Sequence, residues 1–352
     1  TPAIRAKGLF LKAEVYQQLN DQARLSSVFI SVIRSFGEQN EWGKRAILRA
    51  IAVTENPNDI QHSIAALFQL IESNPDLPVL VRSTQLRITE LYEQLGEQQK
   101  ALKLVDVILS STPKAKDATK FIGRAYRKKA ELLSQAQRYP EAADVYEQLL
   151  NLTSSNRAEF DKANYLMVLQ QVRQASKDLS IGEVRIAAKN FKTIAENHPA
   201  SVEAHRGYIE AKALLREADE VQKKYQILSQ NKPDNAIYKY AYALALSYVK
   251  QPDFSRLIRL IESAISTNPS ISYFHQTLGW AYEQQEQIMG KTGYLEKAEA
   301  AYHIALALNN EFVFPKTESN LLLNLGNVYF QLDNYQEAYR HYFQRDSQQL
   351  NK

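Results

Sequence analysis

Four groups of residues could do chemistry by type and spacing. Lys116, Lys120, Arg124 and Lys128 recur every four residues, with Arg127 and Lys129 beside them. On a helix that spacing makes one positive stripe. Such a stripe could meet an acidic peptide, a phosphate backbone or an anionic membrane surface; the plainer reading is a solvated face. Gly290-Lys291-Thr292-Gly293 has the end of a phosphate-binding loop. The full pattern needs glycine at 285, where Gln285 stands, and a preceding strand, so a nucleotide site is rejected. The six histidines, His62, His198, His205, His275, His303 and His341, form no H-E-x-x-H or other dense metal pattern. His198 and His205 straddle Pro199 and do not share one continuous helix face. Each histidine reads as a surface or interhelix polar residue. Glu217, Asp219 and Glu220 stand beside Arg216, Lys223 and Lys224, which suits solvated helical ion pairs better than a catalytic dyad. There is no G-x-S-x-G elbow and no dinucleotide fingerprint. The expectation is therefore no catalytic residue, no metal and no cofactor.

Composition limits what could position such groups. The chain has 352 residues, 45% hydrophobic and 23% charged, with only 11 Gly and 11 Pro. Residues that favour helix are plentiful, so an all-α fold is expected. The net charge of +4 is small for a dedicated nucleic-acid binder, which makes nucleic acid an unfavoured partner. With no cysteine, disulfides, thiolate metal sites and cysteine nucleophiles are excluded. No apolar run reaches the ~18 residues of a membrane span. The start at Thr1, without an initiator Met, suggests a piece of a longer protein. The Gln- and Asn-rich, cysteine-free composition favours a bacterial origin, and the envelope or periplasm over the cytoplasm.

The elements follow from an internal period. Pro199 to Pro233 is 34 residues and Pro233 to Pro269 is 36, while Pro75 to Pro113 is 38. Each proline closes a helical stretch. The same steps precede several of them: Ala101, Val105 and Ile108 before Pro113; Ala187, Phe191 and Ile194 before Pro199; Leu257, Ile261 and Ala264 before Pro269. They recur at Ala142, Tyr146, Leu149 and at Ala298, Tyr302, Ala305, where Ser154 and Asn310 replace the proline; Ala338 and Tyr342 repeat the first two. A second signature sits one helix earlier. Leu278-Gly279 with Tyr282 and Leu325-Gly326 with Tyr329 share one spacing, and Leu244-Ala245 with Tyr248 and Ile88-Thr89 with Tyr92 are variants. A small residue lets two helices approach, an aromatic fills the groove between them, and the proline stops the second helix.

This pattern resembles the tetratricopeptide repeat family over nearly the whole chain, most strongly from Pro199 onward and less before Trp42. The resemblance implies a right-handed α-solenoid, or superhelix, of about nine antiparallel helical hairpins: 2–35, 42–75, 79–113, 117–154, 157–199, 202–233, 236–269, 272–310 and 317–350. It forms a single domain over 1–352, with less regular units at 1–75. Regular units follow over 79–352, with lengthened hairpins at 157–199 and 272–310. Residues 286–293 and 309–315 lengthen connections, which fits loop variation or a binding face.

The resemblance also implies a partner bound by the first helices, which line the concave face. Relative to the small-residue position, the candidates are Lys239, Tyr242 and Leu246 in one unit. They are Tyr273, Gln276, Thr277 and Trp280 in the next, and Asn320, Leu323, Asn324 and Asn327 in the last. Aromatics and amides suit a peptide, although Trp280 and Tyr273 could instead pack between hairpins. Some family members clamp a C-terminal carboxylate. Arg124 and Lys128 match the clamp's final basic pair, but Arg87 and Glu90 stand in the preceding unit where an asparagine is needed, which argues against a chaperone-tail adaptor. Tyr335, Ala338, Tyr339 and Tyr342 form an apolar face that another helix should cover, which could mean self-association through the C-terminal hairpin. The leading expectation is a protein-interaction scaffold in a larger protein or complex. The alternative is an anion or nucleic-acid binder using 116–129.

Overall fold

A computed structural model of the protein describes residues 2–56, 58–111, 119–154, 156–290, 293–308 and 317–350. Among them are eighteen helices and no strand. The chain divides into two compact units, Thr1–Met167 and Val168–Lys352. The first holds α1 (Pro2–Gln18), α2 (Gln22–Phe36), α3 (Glu41–Thr54), α4 (Ile60–Glu72), α5 (Pro78–Gln94), α6 (Gln98–Ser111), α7 (Thr119–Gln135) and α8 (Tyr139–Thr153). The second holds α10 (Val184–Asn197), α11 (Val202–Leu214), α12 (Ala218–Asn231), α13 (Ala236–Leu246), α14 (Phe254–Thr267), α15 (Ser272–Met289), α16 (Tyr294–Ala307), α17 (Thr317–Gln331) and α18 (Tyr335–Leu350). The 24-residue α9 (Arg157–Ser180) begins in one and ends in the other. This is the all-α helical repeat read from the sequence, and the helices fall two to each of the nine expected hairpins. Pro75, Pro199, Pro233 and Pro269 each follow a helix end closely; Pro113 and the 309–315 connection lie outside the described residues.

Most hairpins close by one device. Asn20, Gly96, Gln137, Gly182, Arg216 and Asp333 all have positive φ. In each case the next residue's N–H reaches back to the last turn of the first helix, as in Glu97 N to Tyr92 O at 2.9 Å and Asn334 N to Tyr329 O at 2.9 Å. That satisfies carbonyls the helix would otherwise leave open. Helix starts are held by side-chain oxygens: Asp21, Asn40, Asp59, Ser201, Asn235 and Asp253 each accept from a backbone N–H of the first turn. Leu77, which precedes α5, cannot do this. Instead Glu38, from the α2–α3 connection, accepts from Val79 N at 2.8 Å and Leu80 N at 2.7 Å. Arg34 reaches the same place through Asn74 Oδ1 and Asp76 Oδ1.

In the second unit, rings sit on bare helix backbone. A Cβ added at Gly279 would lie 2.7 Å from the Tyr302 ring, and at Gly326 2.3 Å from the Tyr342 ring. Both pairs join the two helices of one hairpin. A Cβ added at Gly207 would likewise run into the ring of Phe191, on the last helix of the hairpin before. The aromatic over each glycine thus comes from the recurring second-helix step. Tyr282 instead bonds Glu262 at 2.7 Å and stacks on Tyr294. At the other end of this unit the expected apolar face is divided. Ala338 is buried and Tyr342 half-buried against Gly326, whereas Tyr335 and Tyr339 are exposed, together with Phe343.

Two buried histidines tie first helices to the connection before them. His205 Nε2 lies 3.1 Å from the Pro199 carbonyl, and His275 Nε2 lies 2.8 Å from that of Pro269. The carbonyl fixes Nε2 of His205 as the donor, so Nδ1 accepts from the Tyr225 hydroxyl at 2.7 Å. Both are interhelix polar residues, as expected. Burial pushes His205 down to about 4, against the pull of the Pro199 carbonyl.

Two outcomes follow. Alanine at Gly279 or Gly326 should improve helix propensity by ~1 kcal/mol yet lower stability by about 1–3 kcal/mol net, because the ring cannot vacate the space; urea denaturation reads the sign. For His205 the unfolded chain binds the proton first, so stability is lost as pH falls from about 6.5 to about 4. The loss amounts to about 3 kcal/mol. In His205→Gln the difference between denaturation at pH 7.5 and pH 4.5 should shrink by about that amount.

Candidate functional site

The first helices of the second unit form an open cleft of about 370 Å³. Its floor is Arg206 of α11. The guanidinium donates from Nη1 to Tyr240 Oη and to Gln276 Oε1, both at 3.2 Å, and its Nε lies 2.9 Å from Glu210 Oε1. It also sits 5.1 Å over the Tyr273 ring. Burial opposes its charge, but the Tyr240 oxygen and the Glu210 carboxylate outweigh burial and keep it protonated. The hydrogen bonds beneath it then run one way. Tyr240, fully buried, accepts from Arg206 and so donates to Thr277 Oγ1 at 3.2 Å; Thr277 donates in turn to the Tyr273 carbonyl at 3.0 Å.

Arg206 has a second effect. A guanidinium has only donors, so Gln276 must turn Oε1 toward it. The Nε2 amide group of Gln276 is left to face the cleft. Above it, Trp280, Leu244, Tyr248 and Leu323 supply apolar surface, and Asn320 and Asn324 supply amides. Trp280 is braced by Phe254, with ring centroids 5.6 Å apart. Tyr248 also borders a second cleft, of about 340 Å³, with Leu179, Glu210 and Leu214. Tyr248 is exposed there and offers a phenolic hydroxyl.

Four of the eight expected groove residues meet at this cleft: Gln276, Trp280, Asn320 and Asn324, with Thr277 and Leu323. The others stand elsewhere. Lys239 donates to Ser263 Oγ at 2.9 Å, and Asn327 accepts from the Tyr342 hydroxyl at 2.9 Å. Tyr242 and Tyr273 are buried, each beneath an arginine, and Leu246 is buried as well. Both tyrosines are packed inside the helix stack rather than presented in the cleft. Arg206, Tyr248 and Leu244 are cleft residues that sequence spacing did not pick out. Arg206 stands seven residues after Pro199, as Gln276 does after Pro269, so it shares the register of a facing residue in a unit, 202–233, from which no candidate was drawn.

The first unit holds the basic residues. Arg127 Nη2 is 3.3 Å from Glu159, Lys128 Nζ is 3.1 Å from Glu93 and 3.2 Å from Glu131, and Lys129 Nζ is 2.8 Å from Asp106. Arg124 is exposed. Lys116 and the side chain of Lys120 lie outside the described residues. Arg87 is held by Glu55, at 2.7 and 2.8 Å, and by Glu90 at 2.8 Å. Among the described residues no three His, Asp or Glu side chains are grouped to hold a metal ion. No helix among them is long and apolar enough to cross a membrane.

The family model for the tetratricopeptide repeat matches residues 118–159, which span α7 and α8. No curated protein matches the chain. Several solved structures resemble it at low identity. A thermophilic tetratricopeptide repeat protein of Thermus thermophilus is 16% identical over 51% of this chain and 89% of its own, with a TM-score of 0.39. A tetratricopeptide repeat protein from Parabacteroides merdae is 12% identical over 76% and 92%, with a TM-score of 0.42. The APC/C hetero-tetramer Cut9–Hcn1 is 14% identical over 97% and 72%, with a TM-score of 0.40. The sequence match falls on α7–α8, and helical hairpins stand on either side of it. Residues 118–159 form a tetratricopeptide repeat, set in a chain whose described residues are an all-α helical repeat.

Proposed function

We propose that this protein is an interaction scaffold that holds an extended segment of a partner protein in the cleft over Arg206. The observation that carries this reading is the pairing of an oriented amide with an apolar platform. Gln276 offers Nε2, held in place by Arg206, and Trp280 stands in the same wall beside Leu323. A peptide carbonyl suits the amide, and a side chain suits the indole, which buries area at little entropic cost. The Arg206 charge is already answered by Glu210, so the cleft favours a segment that is polar along its backbone rather than strongly charged. The alternative, anion binding by 116–129, is disfavoured by the carboxylates that face Arg127, Lys128 and Lys129.

The test is selection from a random peptide library on the full chain, followed by titration of the winners. Trp280→Ala should weaken them at least about tenfold, roughly 1.4 kcal/mol. Arg124→Glu should leave them unchanged, and affinity should vary little between about 50 and about 200 mM salt. Winners that are acidic, salt-sensitive and lost in Arg124→Glu would move the site to α7.

A further inference from the structure

A buried acid lies behind the cleft, out of reach of any ligand in it. Glu283 of α15 is buried and forms no ion pair among the described residues. It takes the hydroxyl of Tyr302, a ring with no exposed surface. Tyr302 Oη in turn accepts from Asn324 Nδ2 at 3.2 Å, and Asn324 lines the cleft. The line Asn324–Tyr302–Glu283 therefore runs from the wall of the cleft into the core, across α17, α16 and α15. Its direction is set at the buried end. A carboxylate only accepts, so Tyr302 must donate inward, and its free lone pair can be met only by a donor. Asn324 has to offer Nδ2, which leaves Oδ1 for the cleft.

We infer that Glu283 is a positioning residue: as a carboxylate it holds Asn324, through Tyr302, with Oδ1 toward the cleft, so that this wall takes an N–H donor of the bound segment. This rests on the cleft being the binding site, and it deepens that reading. Gln276 presents a donor and Asn324 an acceptor, which together match the C=O and N–H of a peptide backbone. The arrangement is reversible. A protonated Glu283 can donate to Tyr302 Oη. The phenolic hydrogen then needs an acceptor outward, Asn324 turns Oδ1 to it, and Nδ2 faces the cleft. The acceptor has become a donor.

The surroundings place this change in reach of mild acid. Burial pushes Glu283 up to about 6, and the Tyr302 hydrogen bond restrains the rise. Of the other titratable groups on the packed helices, Arg259 of α14 and Glu296 of α16 are exposed, Arg256 of α14 lies over the Tyr242 ring, and His275 of α15 meets the Pro269 carbonyl. Glu262 of α14 takes the Tyr282 hydroxyl. Lys297 of α16 lies over the Tyr282 and Tyr294 rings. Glu299 and His303 of α16 meet the Tyr329 hydroxyl of α17. On α15 itself, Glu286 accepts from Tyr294 N.

Side-chain amide NMR of the unliganded full chain tests this between pH 5 and 8. The Asn324 NH₂ resonances, identified by their loss in Asn324→Asp, should move in one step centred near pH 6. Tyr302→Phe should abolish that step, and so should Glu283→Gln. Asn324 resonances flat across the range would overturn the inference, as would a step that persists in Tyr302→Phe. If either variant fails to fold, the wild-type titration still decides. No ligand is used, so a flat titration counts against the relay alone, while failure to select any peptide counts against the cleft as a binding site.

Discussion

The second unit depends on places where an aromatic ring rests directly on helix backbone. Gly207, Gly279 and Gly326 each meet a ring closer than any side chain would permit. Those contacts set how near the helices lie, and nearness decides what can meet across them. Tyr302 illustrates this. Seated on Gly279, its ring passes between two helices and its hydroxyl reaches both Glu283 and Asn324. A wider spacing would leave a void in a close-packed interior and a carboxylate without its donor.

The cleft owes its character to charges that it largely conceals. Arg206 lies beneath one wall and Glu283 behind another, and each turns an amide at the surface. An Asn or Gln side chain on an open face can present either end. Here a buried cation and a buried acid settle which end is shown, so two uncharged surface groups carry the imprint of ions beneath them. Such burial is costly unless the partners are complete. Arg206 has Tyr240, Gln276, Glu210 and the Tyr273 ring around it.

Much of the architecture was legible in the order of residues. The Ala-x-x-x-aromatic steps and the prolines located the hairpins, since both are local devices: one stops a helix, the other marks its packed face. The partners of those devices were less legible. Tyr302, and not Tyr282, lies on Gly279, because which ring crosses over depends on how two helices are rotated against each other. The positive-φ turns at Gln137 and Arg216 carry no glycine to announce them. Of the cleft's lining, spacing had singled out Gln276, Trp280, Asn320 and Asn324, which repeat along first helices. It also chose Tyr242 and Tyr273, which are buried, because period alone does not separate a facing residue from one wedged between neighbours. Arg206 was missed because no candidate was drawn from the 202–233 unit, although it stands seven residues after a proline, as Gln276 does. The histidine ties were also hidden, although both stand six residues after a proline.

Glu38 has a bearing on how the first unit comes apart. It belongs to the connection between the first and second hairpins, yet it holds the start of the third. A stack joined only to its nearest neighbours can peel one hairpin at a time. Here that sequence is interrupted. Releasing the first hairpin with its connection uncovers two N–H groups at the head of α5 and, through Arg34, frees Asn74 and Asp76 as well. Three hairpins are thereby bound into one cooperative block, and amide protons at the start of α5 report on the integrity of a segment 41 residues upstream.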